Sequence, residues 1–357
     1  MKIEKVDLYR LKVPLKRPYR IATAEMKDFD MTIVVLRAGG REGMGEAMSG
    51  VEGYFWETPD EVWQFAKENG PQVLGLDISK AKSQLIQHKA QKPCAVTPFL
   101  TAMEMAEGNP ALAPPAQPGG VSMVGILQAT DRPGIETEVK QFLAAGYDTI
   151  KIKVGFDAAK DIGKVKMAQE VIQGKALIRI DANQGYRFPQ AKDFVLGIDP
   201  QGIEFFEQPF KEKEWDAMVE LSKISPVALG LDESIYGMES VEKARRLKCC
   251  RFVKFKLMKI GSAQVLVENI AKCREYGFGV ILGNGAAGEI NCYLEALIAR
   301  QTIDRAGEMN GFLKQTESVL KTPIGTDSGK ILLSPHYVLK LDPLKVDRYA
   351  VESRTLQ

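Results

Sequence analysis

The sequence predicts an α/β protein, a modified (β/α)8 barrel of TIM type with an N-terminal α+β capping domain. Three observations predict it. Short β-branched or aromatic runs begin at residues 149, 176, 202, 227, 252, 279 and 304, each 25 to 27 residues after the last. The stretches between them place apolar residues at three- and four-residue steps, the pattern of a helix with one buried face. Residues 1 to about 106 lack that period and alternate as antiparallel strands do.

The barrel strands are predicted at VSMVGIL (121–127), TIKIKV (149–154), ALIRIDAN (176–183) and GIEFFEQP (202–209). They continue at VALGLDES (227–234), FVKFKLMK (252–259), GVILGN (279–284) and DRAGEMN (304–310). One strand, one helix and two short loops fill such a repeat, and eight repeats close a parallel barrel. The eighth is the weakest, since AGEMN has little strand propensity. Helices are predicted at IETEVKQFLAAG, FDAAKDIGKVKMAQEVI, KEWDAMVELSK, MESVEKARRLK and SAQVLVENIAKCREYG, several ending at glycine. In the first hundred residues MKIEKVDLYRLKV, MTIVVLRAGG and REGMGEA form a meander, followed by amphipathic helices. The Pro- and Gly-rich stretch EGNPALAPPAQPGG (107–120) marks the boundary. The expected units are a capping domain 1–115, a barrel 116–325 and a C-terminal arm 326–357 returning to the capping domain.

Composition narrows the function classes. A chain of 357 residues with 45% hydrophobic and 26% charged side chains can bury a large core. The net charge of +2, with no long basic block, argues against nucleic acid and anionic membrane as partners. No run of 18 apolar residues appears, and MKIEKVDLYRL alternates like a strand rather than a signal peptide. The five cysteines contain no CxxC, and Cys249 and Cys250 are adjacent, so reduced thiols and a cytoplasmic location are expected. With only His88 and His336, a histidine-based zinc site or a Ser-His-Asp triad is hard to assemble.

Barrel chemistry sits at the C-terminal strand ends. Read in order, these ends offer Lys151 and Lys153, Asp181 and Asn183, Glu207, Asp232, and Lys256. Three acids on consecutive strands, 26 and 25 residues apart, converge on one point. Carboxylates that close repel unless a cation lies between them. All-oxygen ligation selects a hard ion, so Mg²⁺ is expected, or Mn²⁺ in its place. Lys151 and Lys153, two apart on one strand, share a face, and Lys256 lies across the barrel. One amine on each side of a bound substrate is what inversion of a carbon centre requires. A lysine serves as a base once burial or a neighbouring cation lowers its pKa from about 10.4 towards ~7–8.

The motifs KIKVG (151–155), RIDANQGY (179–186), EFFEQPF (204–210), LDESI (231–235) and KFKLMKIG (254–261) resemble the muconate-lactonizing branch of the enolase superfamily, the mandelate racemase/muconate lactonizing enzyme family. The resemblance spans the chain, including PLKRPYRIA (14–22), which looks like the capping domain of dipeptide epimerases. It implies that Asp181, Glu207 and Asp232 ligate the metal and that Lys153 and Lys256 are the acid/base pair, assisted by Lys151. It further implies abstraction of the proton α to a carboxylate through an enediolate, with Asn183 and Gln208 orienting the ligands. Tyr19, the aromatic loop residues Tyr54, Phe55 and Trp56, and the strand-end residues Asn284 and Glu308 are the expected substrate-pocket residues.

Three features depart from the family pattern. The linker from cap to barrel is short. Lys254 stands where relatives commonly carry an amide; it either depresses the pKa of Lys256 or pairs with a barrel carboxylate such as Asp232. The ends GNGAAGEIN (283–291) and GEMNG differ from those of dipeptide epimerases, the latter lacking their Asp-x-Asp. The expected activity is racemisation or epimerisation of an amino-acid derivative by a homo-oligomer acting on a small carboxylate. Cycloisomerisation of a muconate-like acid and syn-dehydration to a succinylbenzoate-like product are the alternatives. A Schiff-base aldolase or a non-catalytic barrel are the rivals outside the family.

Overall fold

The computed structural model describes residues 1–21, 24–51 and 55–357. Strands β1 (Ile3–Arg20), β2 (Glu25–Ala38) and β3 (Arg41–Met48) form an antiparallel meander, in register at Val6↔Leu36 and Val34↔Gly45. Val6 and Leu8 of β1 are fully buried, as are Leu11 and Val13, the alternation shifting at the irregularity between Arg10 and Leu11. Helices Pro59–Val73 and Pro93–Glu107 pack on this sheet. The first opens on a capping box, Thr58 with Glu61, as its sequence dictates. The second is buried on nearly every side, because it lies between the meander and the barrel. Glycine is required beneath it, since a Cβ at Gly43 or Gly45 would collide with the carbonyls of Ala102 and Pro98.

A short strand, β4 (Gly119–Ser122), precedes the barrel, which begins with β5 (Gly125–Leu127). It proceeds through β6 (Thr149–Lys153), β7 (Leu177–Asp181), β8 (Ile203–Glu207), β9 (Leu229–Leu231), β10 (Phe252–Phe255) and β11 (Gly279–Leu282). Strands β5 to β11 are parallel neighbours in sequence order, each followed by a helix, as the repeat predicts. The expected eighth strand is not one. Residues 304–310 make a single parallel bridge, Gly307 to Met123, and closure rests on a few hydrogen bonds. Gly307 N donates to Ser122 O, Val124 N to Gly307 O, and Glu308 N to Leu282 O, at 2.8 to 2.9 Å. Gly307 and Asn310 explain why the segment closes the ring without adopting regular strand geometry.

Strands β12 (Thr326–Asp327) and β13 (Lys330–Leu333) form a small antiparallel sheet with β4, so this part of the C-terminal segment lies on the barrel. Further on, helix Pro343–Tyr349 contacts β1, and β14 (Ala350–Leu356) pairs with β1 at the edge of the meander. The five cysteines are free thiols. Among the described residues no helix is long and apolar enough to cross a membrane.

Buried carboxylates tie the meander side to the barrel. Glu46 of β3 accepts the Gly288 and Ile290 amides at 2.6 and 3.0 Å, at the start of helix Glu289–Thr302. Burial pushes its carboxyl up to about 7 despite those bonds. Glu46→Ala leaves both buried amides without a partner, so it should lower unfolding stability by about 2–4 kcal/mol in denaturant titrations.

Candidate active site

Strand register assembles the centre. Lys153 stands opposite Asp181, Asp181 opposite Glu207, and Glu207 opposite Gly230, two residues before Asp232. Lys151 lies one layer lower on β6, on the same face as Lys153. Lys254 belongs to β10, and Lys256 follows that strand immediately. All seven side chains are buried, none more than 6% exposed.

The charges form one network. Lys151 Nζ lies 2.9 Å from both Asp181 and Glu207 and 2.8 Å from Glu308. Lys254 Nζ lies 3.2 Å from Glu207 and 3.1 Å from Asp232 and also pairs with Glu308. Lys153 meets Asp181 at 2.6 Å and Lys256 meets Asp232 at 2.7 Å. Burial alone would neutralise these groups, and pairing decides which do so. For Lys151 burial is outweighed by Asp181, Glu207 and Asp232, which hold its pKa above the ordinary lysine value. Burial also opposes the charge on Lys153, yet Asp181 and then Tyr19 keep its pKa raised. Lys256 goes the other way: burial, aided by Lys259 and Lys254 and opposed by Asp232, pushes it down to about 7. Asp181 and Asp232 are held well below the usual carboxylate range by the lysines around them, against the effect of burial.

The loops after the strands fix these groups. Asn183 and Gln208 adopt left-handed backbone conformations, at φ 41° and 39°, which turn the chain directly after β7 and β8. Asn183 Oδ1 accepts from Lys153 at 2.6 Å, and its amide donates to Glu233 at 3.1 Å. Gln208 Oε1 accepts the backbone N–H groups of Asp232 and Ser234 at 3.0 and 3.2 Å, fixing the turn that presents Asp232. Three further residues take part that the sequence reading missed. Glu233 is buried, and burial together with Asp232 pushes its carboxyl up to about 7. Strand alternation would turn it away from Asp232, but β9 ends at Leu231, so alternation does not apply. Its place within LDESI was the available signal. Lys259 donates to Asp232 O at 2.9 Å and lies 4.3 Å from the Tyr236 ring, and Lys164 donates to Lys153 O at 3.2 Å. Lys259 falls inside KFKLMKIG; nothing in the sequence singles out Lys164.

The expected pocket residues divide. Tyr19 and Phe55 are buried, and Tyr19 is close enough to Lys153 to affect its charge. Trp56 is half exposed, packs 4.4 Å from Tyr236 and donates to Gln91 O, lining a cavity of about 440 Å³ with Gln184 and residues 211–214. Tyr54 lies outside the described residues. Asn284 is buried, its Oδ1 accepting the Ala286 amide and its Nδ2 without a partner among the described residues. Glu308 is found within the ion-pair network, between Lys151 and Lys254.

The donor set fits a hard divalent cation. Asp181, Glu207 and Asp232 are all-oxygen, buried and anionic, and ammonium groups bridge them pairwise, which marks the space between them as one that demands positive charge. Among the described residues no three acids converge at metal-ligand spacing, because Lys151 and Lys254 span the gaps.

The chain is similar to several known proteins. The L-Lys-D/L-Arg epimerase of Methylococcus capsulatus is 30% identical over 282 residues, covering 73% of this chain and 76% of the relative. Muconate cycloisomerase 1 of Rhodococcus opacus is 26% identical over 356 residues, covering 93% and 94%. The crystal structure of a dipeptide epimerase from Cytophaga hutchinsonii, complexed with Mg and the dipeptide D-Ala-L-Val, superposes with a TM-score of 0.88 over all of both chains at 18% identity. A family model described as enolase C-terminal domain-like matches residues 134–335, more than half the chain. The protein therefore belongs to the enolase superfamily, in the family of muconate lactonizing enzymes and epimerases that its strand-end motifs resemble.

Proposed function

We propose that the protein is a divalent-metal-dependent racemase or epimerase of an amino-acid derivative, abstracting the proton α to a carboxylate. The observation that carries this reading is the placement of two lysines on opposite walls around three carboxylates. β6 and β10 are four places apart in the sheet order, and in a ring of eight positions that is the opposite side. Asp181, Glu207 and Asp232 would hold Mg²⁺, or Mn²⁺ in its place. Bound there, the ion would receive the substrate carboxylate and stabilise the charge that develops as the proton leaves. One lysine, as the free amine, takes the α-proton from its face. The other, as ammonium, returns a proton to the opposite face, so each turnover inverts the carbon and exchanges the protonation states of the pair. Burial pushes Lys256 down to about 7, while Asp181 keeps Lys153 raised against burial, so the two lysines differ in the sense that one amine and one ammonium require. Asn183 and Lys164 hold Lys153, Gln208 and Lys259 hold Asp232, and burial excludes water from the centre.

Epimerase relatives support inversion, and the nearly full-length likeness to a muconate cycloisomerase makes ring closure of an unsaturated acid the alternative. The test is incubation of N-acyl amino acids, dipeptides and proline derivatives with enzyme and Mg²⁺ in D₂O. A racemase or epimerase places deuterium at the α-carbon of both substrate and product. A cycloisomerase leaves such compounds untouched and closes a muconate-like acid, and a dehydratase releases water.

A further inference from the structure

The two lysines of the centre are held in different ways. Lys153 lies within β6 and is paired in register with Asp181. Lys256 lies beyond its strand: the pairing of Phe255 with Leu282 is the last along β10, and Lys256 caps the single helical turn Leu257–Ile260 that follows. Where the Lys256 amine stands therefore depends on what fixes that turn.

Contacts from two sides fix it. On the cap side the Met48 amide donates to Met258 Sδ at 3.0 Å, and the Thr97 hydroxyl lies 3.3 Å from Met258 O. On the barrel side the Leu257 amide donates to Glu295 Oε1 at 2.8 Å. As the first N–H of the turn, that amide has no acceptor inside it. Glu295 belongs to helix Glu289–Thr302 and is fully buried. Burial pushes its carboxyl up to about 7, opposed by the Leu257 amide and by the charges of Lys256 and Lys254. A carboxyl is costly to keep in such surroundings, and an aliphatic side chain would pack helix against barrel without that cost. What the aliphatic side chain lacks is the acceptor for the residue next to Lys256.

We propose that Glu295 is a positioning residue for Lys256: its carboxyl oxygen fixes the Leu257 amide and so aims the Lys256 amine at its own face of the substrate. The inference rests on the proposed α-proton chemistry. It carries an asymmetry, because Lys153 is held separately, by its strand and by Asn183. Loss of the Glu295 contact disturbs one face and leaves the other.

Two variants separate reach from charge. Glu295→Asp keeps the carboxyl but is one methylene too short, whereas Glu295→Gln keeps an accepting oxygen at full reach and loses the acid. Deuterium exchange with Mg²⁺ is followed for each enantiomer of one substrate. The enantiomer served by Lys256 is the one that Lys153→Ala still exchanges. In Glu295→Asp its exchange should fall roughly 10- to 100-fold in kcat, the scale on which a misplacement of about 1 Å acts, with KM little changed. Exchange of the other enantiomer should persist, and Glu295→Gln should keep most of the wild-type rate for both. Equal losses for the two enantiomers, no loss in Glu295→Asp, or a loss in Glu295→Gln as large as in Glu295→Asp overturns the proposal. Glu295→Ala is a second truncation; if neither truncation folds by circular dichroism, the role is structural and the proposal falls. Should the wild-type protein exchange neither enantiomer, the α-proton reading fails, and ¹³C NMR of Mg²⁺-loaded protein with ε-¹³C-lysine tests the positioning without turnover. The Lys256 signal, assigned by its loss in Lys256→Met, should move in Glu295→Asp and stay in Glu295→Gln. A signal that stays in both, or moves alike in both, overturns the proposal.

Discussion

Lys153→Ala and Lys256→Ala should each stop inversion of the α-carbon, lowering its rate roughly 10²- to 10⁴-fold, the range for removing a positioned acid or base. The two variants should differ in what survives. Each retains the lysine of the opposite wall, so each should still exchange the α-proton of one enantiomer with solvent, and of a different one. Both variants should fold, because Asp181 keeps Lys151 at 2.9 Å when Lys153 is lost, and Asp232 keeps Lys254 at 3.1 Å when Lys256 is lost. Neither substitution strands a buried carboxylate. Exchange and inversion are read by ¹H NMR and polarimetry, with circular dichroism as the check on folding. Inversion at the wild-type rate in either variant would exclude a two-lysine mechanism.

Glu207→Gln should have the second large effect. Glutamine keeps the shape and removes one of three negative charges from a centre that already holds Lys151 and Lys254 at 2.9 and 3.2 Å from Glu207. Mg²⁺ affinity should fall by more than the roughly 10- to 100-fold typical of losing an outer partner of a metal ligand. Turnover should fall with it. Calorimetric titration with Mg²⁺ measures the first and deuterium exchange the second. Unaltered Mg²⁺ affinity in the variant would remove Glu207 from the ligand set.

Much of this was legible in the sequence, because it depends on period and register. A repeat of 25 to 27 residues places strand ends at one level, and the observed pairing of Lys153, Asp181 and Glu207 across β6, β7 and β8 is that level seen in three dimensions. What was not legible depends on where chains leave regular geometry. The eighth strand reduces to one bridge at Gly307, since its residues close the barrel through isolated hydrogen bonds. Glu233 enters the centre after β9 has ended. Glu308 joins Lys151 and Lys254, a contact between residues 157 and 54 positions apart that no local pattern encodes.

On the proposed reading, this centre removes an α-proton only with a divalent ion in place. The most direct measurement is ¹H NMR of a carboxylate substrate in D₂O with wild-type enzyme, first with Mg²⁺ and then after exhaustive chelation. Loss of the α-proton signal with Mg²⁺, its persistence after chelation, and recovery of exchange when Mg²⁺ is restored are the expected results. Exchange that continues undiminished in chelator would contradict the claim.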